Sequence, residues 1–184
     1  MVARDTIRRY VQSHEGRRSS VYPDTEGHLT VGVGCNLDRA GCRELFESQG
    51  IDYDLVRQGK MELTRDQINS LYDHDLGAAL ADVKTACPAF DSLPDNAQLA
   101  LWDCSFQLGL ARLQGFHKML RAISEGDWLE ASRELLNSQL AKQTPVRALE
   151  NAVLLRTCAA YRVDAVDLVA HLELLRPTSR DREA

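Results

Sequence analysis

Residues 14–34 read HEGRRSSVYPDTEGHLTVGVG, and this stretch decides how the N-terminal part of the chain folds. Just upstream, Ile7, Tyr10 and Val11 share one helical face, and Gly16 supplies a helix-ending residue, so a short helix is expected to stop at His14-Glu15-Gly16. VYPD and HLTVGVG then read as two strands of a hairpin around an acidic turn. In the return strand Leu29, Val31 and Val33 alternate with Thr30, Gly32 and Gly34. The second face is bare apart from one hydroxyl, and interior strand glycines mark close approach of a ligand or another backbone.

Downstream, residues 38–59 read as a polar connection. Thr64 and Gln67 form a capping box ahead of Ile68, Leu71, Tyr72, Leu76, Ala79, Leu80 and Val83 at helical spacing, which predicts a long amphipathic helix over 65–82. Ser92 and Asp95, with Pro94, suggest a second box opening a helix apolar on nearly every side from Ala97 to Leu108 and ended by Gly109. Further helices are expected over 113–123, 127–138, 146–161 and 164–175, before a polar, frayed end. The fold class is α+β and mostly helical. The expected organisation is a small lobe with a hairpin (1–64), a connecting helix (65–82), a helical lobe (83–163) and an added helix with a polar tail (164–184), with a cleft between the lobes.

Composition excludes several function classes. The 184 residues are 44% hydrophobic and 27% charged, and no run approaches the eighteen apolar residues of a membrane span, so no membrane insertion is expected. The 22 Lys and Arg against 27 Asp and Glu leave a net charge of −5, which argues against nucleic acid as a partner. The five cysteines, Cys35, Cys42, Cys87, Cys104 and Cys158, form no CxxC pair and suggest neither a disulfide framework nor a zinc site. They read as small buried hydrophobes of a chain folded in a reducing cytosol. His14, His28, His74, His117 and His171 lack paired metal spacing, so no metal or cofactor is called for. The N-terminus offers no apolar core for a signal peptide, so export would need outside help.

Glu15, Asp24 and Thr30 lie at a helix end, at the mouth of a hairpin turn and on the empty face of the return strand. Two carboxyls suit glycoside hydrolysis, one giving a proton to the leaving oxygen and the other, ionised, activating water. Glu15 sits at the negative end of a helix, where the macrodipole and partial burial favour the protonated form, so it is the better acid. Asp24 lies where backbone N–H groups can hold it ionised, and Thr30 can orient a water. Each residue alone also has a plainer reading: a solvated surface glutamate, a turn aspartate, a strand threonine.

The run I-x6-HEG-x5-YPDTEGHLTVGVG resembles the catalytic stretch of the T-even bacteriophage lysozyme family, glycoside hydrolase family 24. LTRDQINSLYDHDL (63–76), FDSLPDNAQLALWDCSFQLG (90–109), GFHKML (115–120), the DW-LEA stretch and QTPVRA (143–148) continue the likeness in order over roughly residues 7–161. The resemblance implies a lysozyme-like two-lobe fold and muramidase activity, cleavage of the β-1,4 bond between N-acetylmuramic acid and N-acetylglucosamine in peptidoglycan. It implies Glu15 as proton donor, Asp24 as base and Thr30 as the water-positioning hydroxyl. Asn36, Phe106 and Gln107 would bind substrate, and Arg147 matches an arginine that approaches the acid. That cation would lower the Glu15 pKa while helix end and burial raise it, and both terms stand. A water between base and sugar implies an inverting reaction.

Two departures accompany the likeness. Cys35 stands where the family often has a histidine paired with an aspartate on the connecting helix, here Asp75, so that ion pair is expected to be missing. The chain also extends past the family's usual end, from about Arg162. The expected setting is a phage endolysin or a secreted antibacterial effector, made in the bacterial cytoplasm and acting as a monomer on periplasmic peptidoglycan. Delivery would need a holin pore or a secretion machine, the latter with an immunity protein in the producer. The alternative is a non-catalytic lysozyme-like module that binds wall or protein.

Overall fold

The computed structural model describes residues 1–24 and 27–160. Helix α1 (Arg4–Glu15) buries Ile7, Tyr10 and Val11 completely, as their spacing predicts. It stops where Gly16 adopts φ 73° and its N–H returns to the Gln12 carbonyl, a left-handed turn that glycine takes without penalty. The chain divides into two compact units, one of Gln12–Ala78 and one of Met1–Val11 with residues from Ala79 onward.

The Gln12–Ala78 unit holds a three-stranded antiparallel sheet in the order β1 (Arg18–Pro23), β2 (Leu29–Gly32), β3 (Cys35–Asn36). Tyr22 pairs with Thr30 and Pro23 with Leu29, and the β1–β2 register shifts between Arg18 and Tyr22. The expected alternation through Gly34 fails after Val31. Gly32 (φ 70°) and Gly34 (φ 68°) form a tight turn around Val33, and the strand returns with Thr30 opposite Asn36 and Val31 opposite Cys35. Glycine is required there because both positions lie in the left-handed region.

The connection read as merely polar contains α2 (Cys42–Ser48) and α3 (Tyr53–Arg57), which bury Cys42, Phe46, Tyr53 and Val56. Phe46 and Tyr53 pack edge to face, and the Tyr53 hydroxyl donates to the Leu37 carbonyl at 2.6 Å. Asp52 caps α3 through Leu55 N–H. These elements are too short for periodicity to reveal them. The Thr64–Gln67 box forms as expected: Thr64 N–H donates to Gln67 Oε1 at 2.9 Å and Gln67 N–H to Thr64 Oγ1 at 3.2 Å. It opens α4 (Arg65–Ala86), four residues longer than predicted at its C-terminal end.

In the other unit the Ser92–Asp95 box does not form. Ser92 closes a 3-10 turn (Phe90–Ser92) and its hydroxyl donates to the Ala89 carbonyl, leaving Pro94 at the helix entry. Helix α5 (Asp95–Gln114) is buried on every side from Asn96 to Ser105, and at Gly109 the backbone leaves helical geometry (φ 69°, ψ 171°) before helix resumes. Then come α6 (His117–Ser124), α7 (Trp128–Leu136, capped by Asp127), α8 (Gln139–Gln143, capped by Ser138) and α9 (Pro145–Ala160). Trp102 is buried, as a core residue should be, and Trp128 is half-buried. The helix expected over 164–175 and the tail lie outside the described residues.

Inside this unit the Tyr10 hydroxyl donates to Asn151 Oδ1 at 3.0 Å. Burial first, then the charges of Asp103 and Glu150, hold its pKa well above 10.0. A phenol that keeps its proton more tightly folded than unfolded contributes stability in full below the unfolded pKa and loses it as pH rises beyond. Urea midpoints of the wild type should therefore fall from about pH 10 upward. In Tyr10→Phe that fall should be shallower, and identical alkaline profiles would contradict the assignment.

Candidate active site

The site residues fall in both units: Glu15, Asp24, Thr30 and Asn36 in Gln12–Ala78, and Phe106, Gln107 and Arg147 in the other. Glu15 ends α1, half-buried, with its carboxyl against the β2–β3 turn. A Cβ on Gly34 would stand 2.8 Å from Glu15 Oε2 and 3.2 Å from its Cδ. The bare face read in the sequence is therefore filled at Gly34 by the candidate acid, and at Gly32 by Ile68, 3.5 Å from where a Cβ would be. Gly34→Ala should force the carboxyl aside and place a side chain in left-handed backbone, costing about 1–2 kcal/mol of stability. Hydrolysis should fall further than that loss of fold explains, by about tenfold or more, since catalysis is sensitive to ångström misplacement. Unchanged turnover would show that the Glu15–Gly34 contact is incidental.

Asp24 is clamped by the hairpin mouth. Its N–H donates to the His28 carbonyl at 2.9 Å, and its Oδ1 accepts from His28 N–H at 2.9 Å. An ionised carboxylate is the natural partner for such a backbone donor. Thr30, 3% exposed, donates its hydroxyl to the His28 carbonyl at 3.3 Å, and its oxygen keeps acceptor capacity. Asn36 Oδ1 accepts from Asp38 N–H at 2.7 Å, and Asp38 pairs with Arg57 at 2.6 Å, which pulls its carboxyl below the usual range.

Sequence reasoning overlooked Tyr22. It stands opposite Thr30 in the β1–β2 register, with the Arg18 guanidinium 4.4 Å over its ring. Burial raises the phenol pKa, the charge of Glu15 raises it further, Arg18 opposes, and Asp24 adds a smaller rise. Both candidate carboxyls thus act on one phenol, a neutral donor within electrostatic reach of each. The signal was present in YPD, where Tyr22 precedes Asp24 by two residues at the end of the strand that leads into the turn.

On the other unit, Gln107 Nε2 donates to Thr144 Oγ1 at 3.0 Å, and Phe106 is half-buried beside it in α5. Arg147 is buried and grips Asp103 through Nε and Nη2 at 2.8–3.2 Å. Asp75 is not left without its ion pair: Arg39 replaces the missing histidine, donating to Asp75 Oδ1 at 2.5 Å, with His74 Nδ1 at 3.3 Å. Among the described residues no cluster of three or more His, Cys, Asp or Glu could hold a metal ion, and no helix is long and apolar enough to cross a membrane.

A hairpin that seats one carboxyl in a glycine notch and clamps a second at its turn matches what the family comparison finds. The phage lysozyme family model matches residues 12–153, and the chain belongs to that family, a lysozyme-like glycoside hydrolase with an α+β, mostly helical fold. It is 31% identical to a probable T4-type lysozyme 2 of Dictyostelium discoideum over 73% of this chain and 84% of that one. It is 27% identical to a probable T4-type lysozyme 1 of the same organism over 78% and 89%. It is also 29% identical to the pre-baseplate central spike protein Gp5 of Enterobacteria phage T4, over 78% of this chain but only 26% of that longer protein.

Proposed function

We propose that this chain is a muramidase that hydrolyses the β-1,4 bond between N-acetylmuramic acid and N-acetylglucosamine with inversion. The observation that carries the reading is the seating of the Glu15 carboxyl against Gly34, on the hairpin whose turn holds Asp24. Glu15 gives its proton to the glycosidic oxygen as the bond to the anomeric carbon breaks. Asp24 takes a proton from a water that attacks that carbon from the opposite face, and Thr30 orients this water through its oxygen. Asn36, Phe106 and Gln107 belong to the reading as saccharide contacts and Arg147 as a supporting cation, because the resemblance to the family matches a residue to each of these roles. The metal-free set suffices because a carboxylic acid and a carboxylate supply both proton transfers.

The setting proposed is an endolysin or a delivered antibacterial effector, made in the bacterial cytoplasm and acting as a monomer on peptidoglycan in the periplasm. A neighbouring holin gene would point to the first, and an immunity gene to the second. Digestion of purified sacculi followed by mass spectrometry of the soluble fragments tests the chemistry. Hydrolysis releases fragments with reducing N-acetylmuramic acid ends. Anhydro ends would refute hydrolysis, and tight binding without release would make the chain a wall-binding module.

A further inference from the structure

We propose that a cavity between α2 and α4 is a second binding site, and that its ligand is a short zwitterionic peptide of the kind that peptidoglycan stems with a free diamino acid provide. The cavity lies within the Gln12–Ala78 unit and measures about 550 Å³, a size at which pockets hold small molecules. Arg39, Glu44, Leu45, His74, Asp75 and Ala78 line it, whereas Glu15, Asp24, Thr30 and Asn36 do not. Glu44, Leu45 and Ser48 share one face of α2, and His74, Asp75 and Ala78 one face of α4, so two helix faces form its walls. Gly41 turns the chain into α2 with φ 76°, and a Cβ there would meet nothing within 4 Å, so the space stays open at that end.

One wall is fixed in place. Buried Asp75 accepts from Arg39 Nη2 at 2.5 Å, and the same oxygen lies 3.3 Å from His74 Nδ1. One carboxylate therefore orients both a guanidinium and an imidazole. A guanidinium presents five N–H donors in a rigid fork, so Arg39, with its side chain 35% exposed, keeps donors for a carboxylate brought by a ligand. His74 is more open, and with Nδ1 turned to Asp75 its Nε2 remains for a ligand.

The lining also carries the opposite charge. Glu44 is exposed and, among the described residues, has no ion-pair or hydrogen-bond partner. With Asp75 answered by Arg39, Glu44 is left for a cation, and it repels a ligand that brings negative charge alone. Among the described residues no cluster suits a metal ion, so the cation called for is an ammonium. Leu45 and Ala78 offer only carbon, which suits the short aliphatic stem between an ammonium and a carboxylate. A free diamino acid at the end of a stem peptide has that composition. The choice of the wall as its source rests on the muramidase reading, and the cavity itself needs neither Glu15 nor Asp24.

The test titrates the isotope-labelled full chain with N-acetyl-L-Ala-γ-D-Glu-meso-diaminopimelate and follows the backbone amides by NMR. The expected result is saturable shifts confined to the segments around Arg39–Ser48 and His74–Ala78, with a Kd of about 1 mM. Acetylating the distal amine of the peptide, or Glu44→Gln in the protein, should each weaken binding by about fivefold or more, because each removes one charge-assisted contact. Ala78→Trp fills the cavity from an exposed helix position and should abolish binding. Glycine, the smallest zwitterion, should bind about tenfold more weakly or worse. No saturation, shifts centred on the hairpin, or equal affinity in Glu44→Gln would overturn the site, and glycine binding as tightly as the tripeptide would overturn a peptide as its ligand. The free peptide needs no hydrolysis. Sacculi left intact by the wild type would strike the muramidase reading while the titration still decides the cavity, and hydrolysis without a titration would strike the cavity alone.

Discussion

Glu15→Gln is expected to lower sacculus hydrolysis by about 10³-fold or more while leaving the unfolding midpoint within a degree or two of wild type. The amide has the size and shape of the carboxyl, so it fits beside Gly34 as the glutamate does. What it lacks is a proton acidic enough to give to the leaving oxygen, and a barrier raised by about 4 kcal/mol corresponds to that factor. Asp24→Asn should lose activity comparably, because an amide cannot take the proton of the attacking water, yet its oxygen still accepts from His28 N–H. Midpoints and rates measured on the same preparations separate chemistry from folding. Residual activity within tenfold of wild type in Glu15→Gln would remove that residue from the reaction.

Asp103→Ala is the second large effect, and it falls on stability. Asp103 is fully buried and accepts from Arg147 Nε and Nη2 and, at 2.6 Å, from Asn151 Nδ2. Removing it takes the two-point carboxylate partner from a buried guanidinium and an acceptor from an amide whose other end holds the Tyr10 hydroxyl. Breaking a buried ion pair by removing one partner costs about 3–5 kcal/mol, so the midpoint should drop by roughly 6–20 °C. Replacing Arg147 by Met in the same background should restore part of the loss, because part of the penalty lies in keeping a buried cation that has lost its two-point carboxylate. A drop under about 2 °C in Asp103→Ala would contradict this account of the core.

The sequence shows the elements that announce themselves by period or by cap. The apolar face of α1, its stop at Gly16 and the reciprocal Thr64–Gln67 bonds were all legible because each is local. Elements fixed by longer-range packing were not. The segments that form α2 and α3 are too short to show a helical period, and Ser92 offered the same cap signature as Thr64 but spends its hydroxyl on Ala89. The glycines were legible as a bare face but not as a turn, since alternation alone cannot show that positive φ at Gly32 and Gly34 reverses the chain. Asp75 illustrates the same limit: its missing histidine is visible in the sequence, whereas the compensating Arg39 depends on how the loop before α2 folds back. Glu15, Asp24 and Thr30 could be proposed as a set from spacing and resemblance, but the notch at Gly34 and the phenol of Tyr22 needed coordinates.

The most direct test of the catalytic account is the anomeric configuration of the first product, followed by proton NMR on a soluble wall oligosaccharide before mutarotation sets in. Attack by an Asp24-activated water on the face opposite the departing oxygen predicts that the α-anomer appears first. Initial appearance of the β-anomer would mean retention, and would contradict the division of labour between Glu15 and Asp24.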